Sequence, residues 1–268
     1  MKNYLILLLA TLALVSCAKE DNSGSINEFD PSVLFDRKLL IAHRGLNGYP
    51  ENTYTAIRAA IEAGYKAVEC DIARTSDGIY VLSHDWTIDR CSNGSGNISK
   101  MTYDELRQYD FGSWGGQEFS GEKIARLEDV LLLCKKKGIL LELDVAYKWP
   151  AGSLLPLYDL VKKTGTQSLA IFCGTKTELE ALLAEPLEIN ISVSGIVNME
   201  KAEEALSLKD KVTHINYSVP FANLSSEIID YIHSNDVGVK TWTVNTEEDL
   251  QNAFEMGVNY AITDILLQ

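Results

Sequence analysis

A repeated alternation of short apolar runs and amphipathic stretches limits what this chain can fold into. About eight runs are rich in β-branched and other apolar residues, as buried strands are. The runs lie at residues 38–43, 66–72, 139–145, 168–173, 188–193, 212–217, 237–244 and 259–263. A helical pattern separates most neighbouring runs, and glycines such as Gly64 and Gly257 end two of these patterns. About eight strand–helix units predict an α/β fold of the parallel (β/α)₈ or TIM barrel type.

An open doubly wound sheet is the alternative arrangement for alternating strands and helices. That fold binds dinucleotides through a GxGxxG turn after its first strand. No such motif follows residues 38–43. The segment 37–268 is also close to the ~250 residues of an ordinary (β/α)₈ barrel. We therefore predict that a closed barrel occupies residues 37–268.

One connection is much longer than a helical crossover requires. Roughly 65 residues separate the second and third predicted strands, whereas ordinary connections are far shorter. Within this stretch, Ser76-Asp77-Gly78 predicts a hairpin turn that leads into a short strand at 79–83. The remainder is rich in glycine, serine and aromatic residues. We predict a small subdomain, inserted at about 73–123, that lies over the barrel mouth.

The first residues of the chain predict export. Lys2 precedes an apolar stretch at 4–15 that is too short to span a bilayer as an ordinary transmembrane helix. The stretch ends in Leu-Val-Ser-Cys, which resembles the lipobox of bacterial lipoproteins. We expect a signal peptide at 1–16, a lipid on Cys17, an acidic flexible tether at 17–36, and a place on the outer membrane, facing the periplasm or the cell surface. An ordinary secretory signal is the alternative.

Charge and cysteine spacing narrow the possible functions. The formal net charge is −14 at pH 7, which repels polyphosphate, so we expect no nucleic-acid partner. An anionic small molecule would need local cations or a metal ion in order to bind. Cys70, Cys91, Cys134 and Cys173 match neither a CxxC pair nor a zinc site. We expect them to be mainly small buried residues, although export permits disulfides.

Two of the predicted strands end in paired carboxylates. Glu69 and Asp71 close the second strand, and Glu142 and Asp144 close the third. Side chains two residues apart share one face of a strand, and the carboxyl ends of barrel strands carry the active site. Four carboxylates at one level of the mouth would repel one another unless a cation lay among them, and oxygen ligands suit Ca²⁺ or Mg²⁺. Pairing of each acid with a lysine or arginine is the alternative.

Two of the four histidines follow predicted strands. His43 ends the first strand, with Arg44 directly after it, and His84 follows the short strand at 79–83. Imidazoles beside a carboxylate cluster suit proton transfer at neutral pH. Arg44 offers planar donors for a phosphate group. We interpret Pro50-Glu51-Asn52-Thr53 mainly as the start of the next helix.

Short motifs in a fixed order resemble the signature of the glycerophosphodiester phosphodiesterase family. They are HRG at 43–45, PENT at 50–53, ECD at 69–71, SDG at 76–78, HD at 84–85, FSGEKIARLEDVL at 119–131, LEL at 141–143, TWTVN at 241–245 and GVNYAITD at 257–264. Each motif is modest alone, but their order and spacing together are highly specific. The resemblance implies a barrel that hydrolyses phosphodiesters such as glycerophosphocholine to an alcohol and sn-glycerol 3-phosphate.

The resemblance also implies roles for single residues. The carboxylates of Glu69, Asp71 and Glu142 would bind one divalent cation. His43 and His84 would act as general base and general acid. Arg44 would hold a phosphate oxygen, and Trp242 would line the glycerol pocket. The substrate would be a small-molecule phosphodiester, and membrane contact would come through the lipid anchor only.

One position departs from the family pattern. The family has Glu-x-Lys on the third strand, where the lysine contacts phosphate, whereas this chain has Glu142-Leu143-Asp144. Asp144 is open to three interpretations: a further metal ligand, a group that binds another part of an altered substrate, or a change that weakens catalysis. Lys240 shares a strand face with Trp242 and would point into the barrel beneath it. We expect Lys240 to pair with Asp144 or to supply the missing positive charge; a solvent-directed lysine is the alternative.

These observations favour metal-dependent hydrolysis of glycerophosphodiesters with general acid–base catalysis by histidine. Two alternatives remain open. A cell-surface binding protein could keep the pocket with weak or no turnover, which Asp144 favours and the intact His43 and His84 oppose. A phospholipase built on the same barrel could act on intact phosphoinositide-type lipid, but the PENT and SDG motifs favour water-soluble diesters.

Overall fold

The computed structural model describes residues 38–145 and 154–266. The predicted signal peptide at 1–16, Cys17 and the tether at 17–36 lie outside the described residues, so the lipoprotein form stays a prediction. Within the two described ranges, no helix combines the length and the apolar character that a membrane span requires.

Nine strands lie in the described part of the chain, and eight of them are parallel members of one barrel. They are β1 Leu39–Ala42, β2 Ala67–Arg74, β3 Tyr80–Leu82, β4 Leu140–Asp144, β5 Ala170–Thr175, β6 Asn190–Ser194, β7 His214–Pro220, β8 Gly238–Trp242 and β9 Tyr260–Thr263. All except β3 pair in parallel with their neighbours, and β1 pairs with both β2 and β9, which closes the ring. The predicted TIM barrel is confirmed.

Helices cover the outside of the barrel and alternate with its strands. They are α1 Tyr54–Glu62, α2 Tyr103–Leu106, α3 Leu127–Lys137, α4 Leu155–Thr164, α5 Lys176–Leu182, α6 Met199–Ala205, α7 Ser226–Ser234 and α8 Glu247–Glu255. Thr53 caps α1 because its hydroxyl accepts the backbone N–H of Ala56 at 3.1 Å. Gly138 and Gly165 end α3 and α4 in the left-handed conformation.

Alternation along the strands separates two apolar regions. Val68, Cys70, Leu141 and Leu143 point outward and are fully buried in the layer beneath the helices. The inward positions near the amino ends of the strands form an apolar plug of Ile41, Ala67, Leu140, Leu169, Ile171, Tyr260 and Ile262. Above this plug the interior becomes polar, so the chemistry is confined to the carboxyl end of the barrel.

The long connection between β2 and α3 forms a compact addition to the barrel. β3 pairs antiparallel with the carboxyl end of β2, where Ile72 lies opposite Leu82. The addition contains α2 and a small apolar core of Val81, Ile88, Ile98, Leu106, Phe111 and Ile124. It occupies the region in which the sequence predicted an insertion at about 73–123.

The cysteines of the barrel are free thiols. Cys70, Cys134 and Cys173 are buried, and Cys91 is partly buried. The expectation that they are mainly small buried residues is confirmed, and none of the four forms a disulfide.

Candidate active site

Three carboxylates from two adjacent strands converge at the carboxyl end of the barrel. In the parallel register of β2 and β4, Glu69 lies beside Glu142, and Asp71 lies beside Asp144. Glu69, Asp71 and Asp144 each offer one oxygen, and the three oxygens lie within 4.8 Å of one another. Glu69 and Asp71 are buried, whereas Asp144 is partly exposed. The predicted convergence of acids from the second and third barrel strands is therefore present.

Glu142 has a partner of its own. Its Oε1 accepts a hydrogen bond from Nζ of Lys240, which reaches across the barrel from β8, and both side chains are almost fully buried. Its Oε2 is buried without a hydrogen-bond partner among the described residues. The expectation that all four acids meet at one level is wrong, because Lys240 engages Glu142, and among the described residues the converging oxygens are those of Glu69, Asp71 and Asp144. Lys240 does point into the barrel, but its hydrogen bond goes to Glu142 rather than to Asp144.

Burial and mutual repulsion determine the electrostatics of these acids. The pKa of Glu69 is raised well above its usual value, first by burial and then by the neighbouring carboxylates, Asp71 foremost. Burial opposes the charge of Lys240, but the carboxylate of Glu142 outweighs it and raises the pKa of Lys240. Since burial also raises the pKa of Cys173 well above its usual value, that thiol stays neutral and Glu142 supplies the compensating charge. A cation among Glu69, Asp71 and Asp144 would offset their mutual repulsion.

The turn after β1 directs Arg44 at the acids. Arg44 has a left-handed backbone (φ 55°), and its N–H donates to Oε2 of Glu69 at 3.0 Å. Its Nε lies 3.2 Å from Oδ2 of Asp71, and its Nη1 donates to Glu51 at 3.0 Å. Gly45 follows with φ 97°, and a Cβ at this position would lie 2.6 Å from a side chain of α1. The glycine of the HRG motif is therefore required by the close approach of turn and helix.

Glu51 and Asn52 also belong to the site. Asn52 is buried and left-handed (φ 56°). Its Nδ2 donates to Oδ2 of Asp71 at 2.8 Å, and its Oδ1 accepts the backbone N–H of Asp71 at 3.0 Å. Glu51 bridges two arginines, Arg44 and Arg90. The interpretation of this segment mainly as a helix start was incomplete, because these contacts arise only from tertiary packing.

Replacing Asn52 by alanine is expected to lower the free energy of unfolding by ~1–3 kcal/mol, because the buried N–H of Asp71 loses its acceptor. The left-handed backbone at this position adds to the cost. Urea denaturation in EDTA measures the change. Asn223→Ala is the matched control, since Asn223 is exposed, and it should shift stability by less than ~0.5 kcal/mol. Equal effects of the two substitutions would contradict this role of Asn52.

His43 and Asp264 form a hydrogen-bonded pair where the barrel closes. Nδ1 of His43 lies 3.0 Å from Oδ1 of Asp264, and Nδ2 of Asn245 donates to the other oxygen at 2.7 Å. The hydrogen bond with His43 lowers the pKa of Asp264, so this carboxylate is ionised at neutral pH. Because a carboxylate only accepts, Nδ1 carries the proton of the neutral ring and Nε2 keeps its lone pair. His43 is thus arranged as a base.

Sequence reasoning did not single out Asp264 or Asn245. Both residues end motifs, GVNYAITD and TWTVN, and both follow strands of the barrel. A position directly after a barrel strand was the sequence feature that could have identified them as site residues. Only the pairing of β1 with β9, however, puts Asp264 beside His43.

His84 begins a series of alternating charges. Its Nδ1 lies 2.7 Å from Oδ1 of Asp85. Nε of Arg90 donates to Oδ2 of Asp85 at 2.7 Å, and the two Nη groups of Arg90 donate to Glu51 at 2.7 and 3.0 Å. Hydrogen bonds from Arg90 and then from His84 lower the pKa of Asp85 to about 2. Through Glu51 and Arg44 the series continues to the acids, so it links the insertion to the turn after β1.

The predicted substrate-binding residues lie at different depths. Trp242 ends β8 with 46% of its surface exposed, and Arg44 lies above the acids. Asp144 joins the converging oxygens, while Lys240 lies beneath them and is 1% exposed. Trp242 and Arg44 are therefore placed to meet a ligand from solvent, and Lys240 is not.

Comparisons with known proteins agree with this geometry. Residues 43–266 match the glycerophosphoryl diester phosphodiesterase family. The chain belongs to this family. A glycerophosphodiester phosphodiesterase of Caldanaerobacter subterraneus subsp. tengcongensis is 30% identical over 239 residues, which cover 85% of this chain and 94% of that protein. The resemblance inferred from the motifs is confirmed.

Solved structures resemble this family member over most of their length. A phosphodiesterase of Oleispira antarctica, in complex with the product sn-glycerol-3-phosphate, has a TM-score of 0.73 and 27% identity, and the match covers 87% of this chain and 95% of that one. A glycerophosphodiester phosphodiesterase of Agrobacterium tumefaciens has a TM-score of 0.70 and 20% identity over 85% and 96% of the two chains. At 20% identity the second comparison supports the fold alone.

Proposed function

We propose that this chain hydrolyses glycerophosphodiesters to an alcohol and sn-glycerol 3-phosphate. The observation that carries the proposal is the meeting of an acid cluster with the His43–Asp264 pair at the carboxyl end of a barrel of this family. That end is where TIM barrels carry their active sites. The product complex of the Oleispira antarctica relative supports the class of substrate.

A divalent cation fits the acid cluster. Its donors are carboxylate oxygens, which suit hard ions such as Ca²⁺ or Mg²⁺. The buried Oε2 of Glu142 has no hydrogen-bond partner among the described residues. This is what we expect of an oxygen that binds a cation. Glu69 and Asp71 would hold the ion together with Asp144, and the family resemblance adds Glu142. When bound, the ion would neutralise charge on the phosphodiester and orient a nucleophile.

Side chains transfer the protons of the reaction and face the negative charge of the phosphate. His43 takes a proton at Nε2 from the attacking oxygen, because Asp264 holds its Nδ1. The attacking oxygen belongs to water or to the glycerol hydroxyl of the substrate. His84 gives a proton to the leaving oxygen, and Asp85 stabilises its charged form. Arg44 presents a positive charge to the phosphate.

We further propose that the enzyme acts outside the cytoplasm, as an outer-membrane lipoprotein anchored through Cys17. The support is the apolar stretch at 4–15 and the lipobox-like residues that follow it. An anchor would hold the enzyme where deacylated phospholipid head groups arrive, which suits scavenging of phosphate or glycerol. Incorporation of labelled palmitate into the wild type but not into Cys17→Ser tests this, and equal labelling of both contradicts it.

Purified full-length protein is expected to release sn-glycerol 3-phosphate from glycerophosphocholine, in a reaction that EDTA stops and Ca²⁺ or Mg²⁺ restores. Product would be measured with a coupled glycerol 3-phosphate assay, and the His43→Ala variant controls for contaminating enzymes. Phosphatidylinositol vesicles serve as the second substrate. Binding of glycerophosphocholine without turnover would favour the binding-protein alternative. Cleavage in vesicles alone would favour the phospholipase.

A further inference from the structure

We propose that Asp144 is a ligand of the divalent cation in this chain, although the family pattern has a lysine at this position. The proposal rests on the metal-dependent function proposed above and deepens it. Of the interpretations that the sequence leaves open for Asp144, it selects the first, a metal ligand rather than a contact to the substrate or a loss of catalysis.

The position of Asp144 is the first argument. It lies directly beside Asp71 in the register of β2 and β4. One of its oxygens comes within 4.8 Å of an oxygen of Asp71 and of Glu69. Two of these three carboxylates are buried. Oxygens held this close from two rigid strands match the oxygen ligands that a hard divalent cation prefers.

The partner of Glu142 is the second argument. Lys240 and Glu142 are each 1% exposed, and the ammonium donates to Oε1 of Glu142. A buried ammonium needs a carboxylate partner, so Lys240 keeps Glu142 engaged through one oxygen. The other oxygen is buried without a hydrogen-bond partner among the described residues, and Glu142 lies beside Glu69 in the register of β2 and β4. Because one oxygen of Glu142 is bonded to Lys240, Glu142 has only its other oxygen to offer a cation. Asp144 supplies a further carboxylate oxygen to the ligand set.

The departure from the family pattern is the third argument. Among the described residues, Arg44 contacts Asp71 and Lys240 contacts Glu142. Since Lys240 already places an ammonium in the interior, a lysine at position 144 would add a second positive charge beside the acids. Asp144 instead adds a carboxylate oxygen, which is the ligand that a hard divalent cation prefers.

Calorimetric titration of the chelator-treated, full-length protein with Ca²⁺, and separately with Mg²⁺, tests the proposal. Asp144→Asn should weaken the affinity at least ~100-fold, because loss even of a group that supports a ligand costs ~10–100-fold. Asp144→Glu keeps the charge but moves the oxygen, and should weaken the ion affinity at least ~10-fold. Asp264→Asn is the control, because it removes one charge from the same barrel mouth outside the acid cluster. It should change the ion affinity less than ~3-fold, as expected for a screened charge. The rise in melting temperature at saturating ion should fall in the same order.

Several results would overturn the assignment. Affinity of Asp144→Asn for the ion that equals that of the wild type or of Asp264→Asn would contradict it. Wild-type affinity in Asp144→Glu would mean that Asp144 acts only through its charge. If Asp144→Asn kept the wild-type ion affinity but had a raised KM for glycerophosphocholine, Asp144 would be a substrate contact. If the wild type binds neither ion, the proposed metal dependence itself fails, which is a distinct result.

Discussion

A Lys240→Met variant is expected to lose ~3–5 kcal/mol of unfolding free energy, the cost of removing one partner from a buried ion pair. Lys240 and Glu142 are each 1% exposed, and the pair spans the barrel from β8 to β4. Methionine fills a similar volume, so the loss comes from the charge rather than from a cavity. Without the ammonium, Glu142 is left as a buried carboxylate, with Cys173 as a neutral neighbour.

Urea denaturation in EDTA measures this loss without a contribution from bound metal. The double variant Lys240→Met/Glu142→Gln should recover most of the stability, because it removes both buried charges together. Lys176→Met is the matched control, since Lys176 pairs with Glu180 at 2.7 Å on the surface of α5, and it should cost less than ~1 kcal/mol. A loss at Lys240 as small as the control's would show that the interior is hydrated enough to solvate Glu142.

The barrel was predictable from the sequence because its signal is local and repeated. Each strand carries an apolar run, each following helix has its own period, and eight repeats leave few arrangements. The same locality predicted that Glu69 and Asp71 share a face, because the period of a strand is two residues. The outward burial of Leu141 and Leu143 followed from the same rule.

The partners within the site were less predictable because they depend on where strands meet. Asp264 reaches His43 only through closure of β1 on β9. Lys240 was expected to point into the barrel, but its length and depth bring it to Glu142, one layer below Asp144. Arg90, which lies in the insertion, has no sequence period that ties it to Glu51. Local patterns therefore located the acids and histidines, while tertiary structure determined what each of them contacts.

A His43→Ala variant is expected to lose about 10²–10⁴-fold in kcat, the usual contribution of one general acid–base group. His43 Nδ1 lies 3.0 Å from Asp264, which leaves Nε2 to accept the proton of the attacking oxygen. KM should change little, because Arg44, which presents a positive charge to the phosphate, and the acids that would hold the cation are intact. Steady-state release of sn-glycerol 3-phosphate from glycerophosphocholine, at saturating Ca²⁺ or Mg²⁺, measures both parameters.

Two further variants separate catalysis from structure at this position. Asp264→Asn keeps the shape of the side chain, but its amide no longer holds the proton on Nδ1 of His43, so kcat should fall although the fold is kept. His233→Ala is the matched control, because His233 lies on α7, where its Nε2 is 3.0 Å from Oδ1 of Asn259, and turnover should stay at the wild-type level. If His43→Ala retained kcat within ~10-fold of the wild type, the proton would have to leave the attacking oxygen by another route, and the role of the His43–Asp264 pair as base would be wrong.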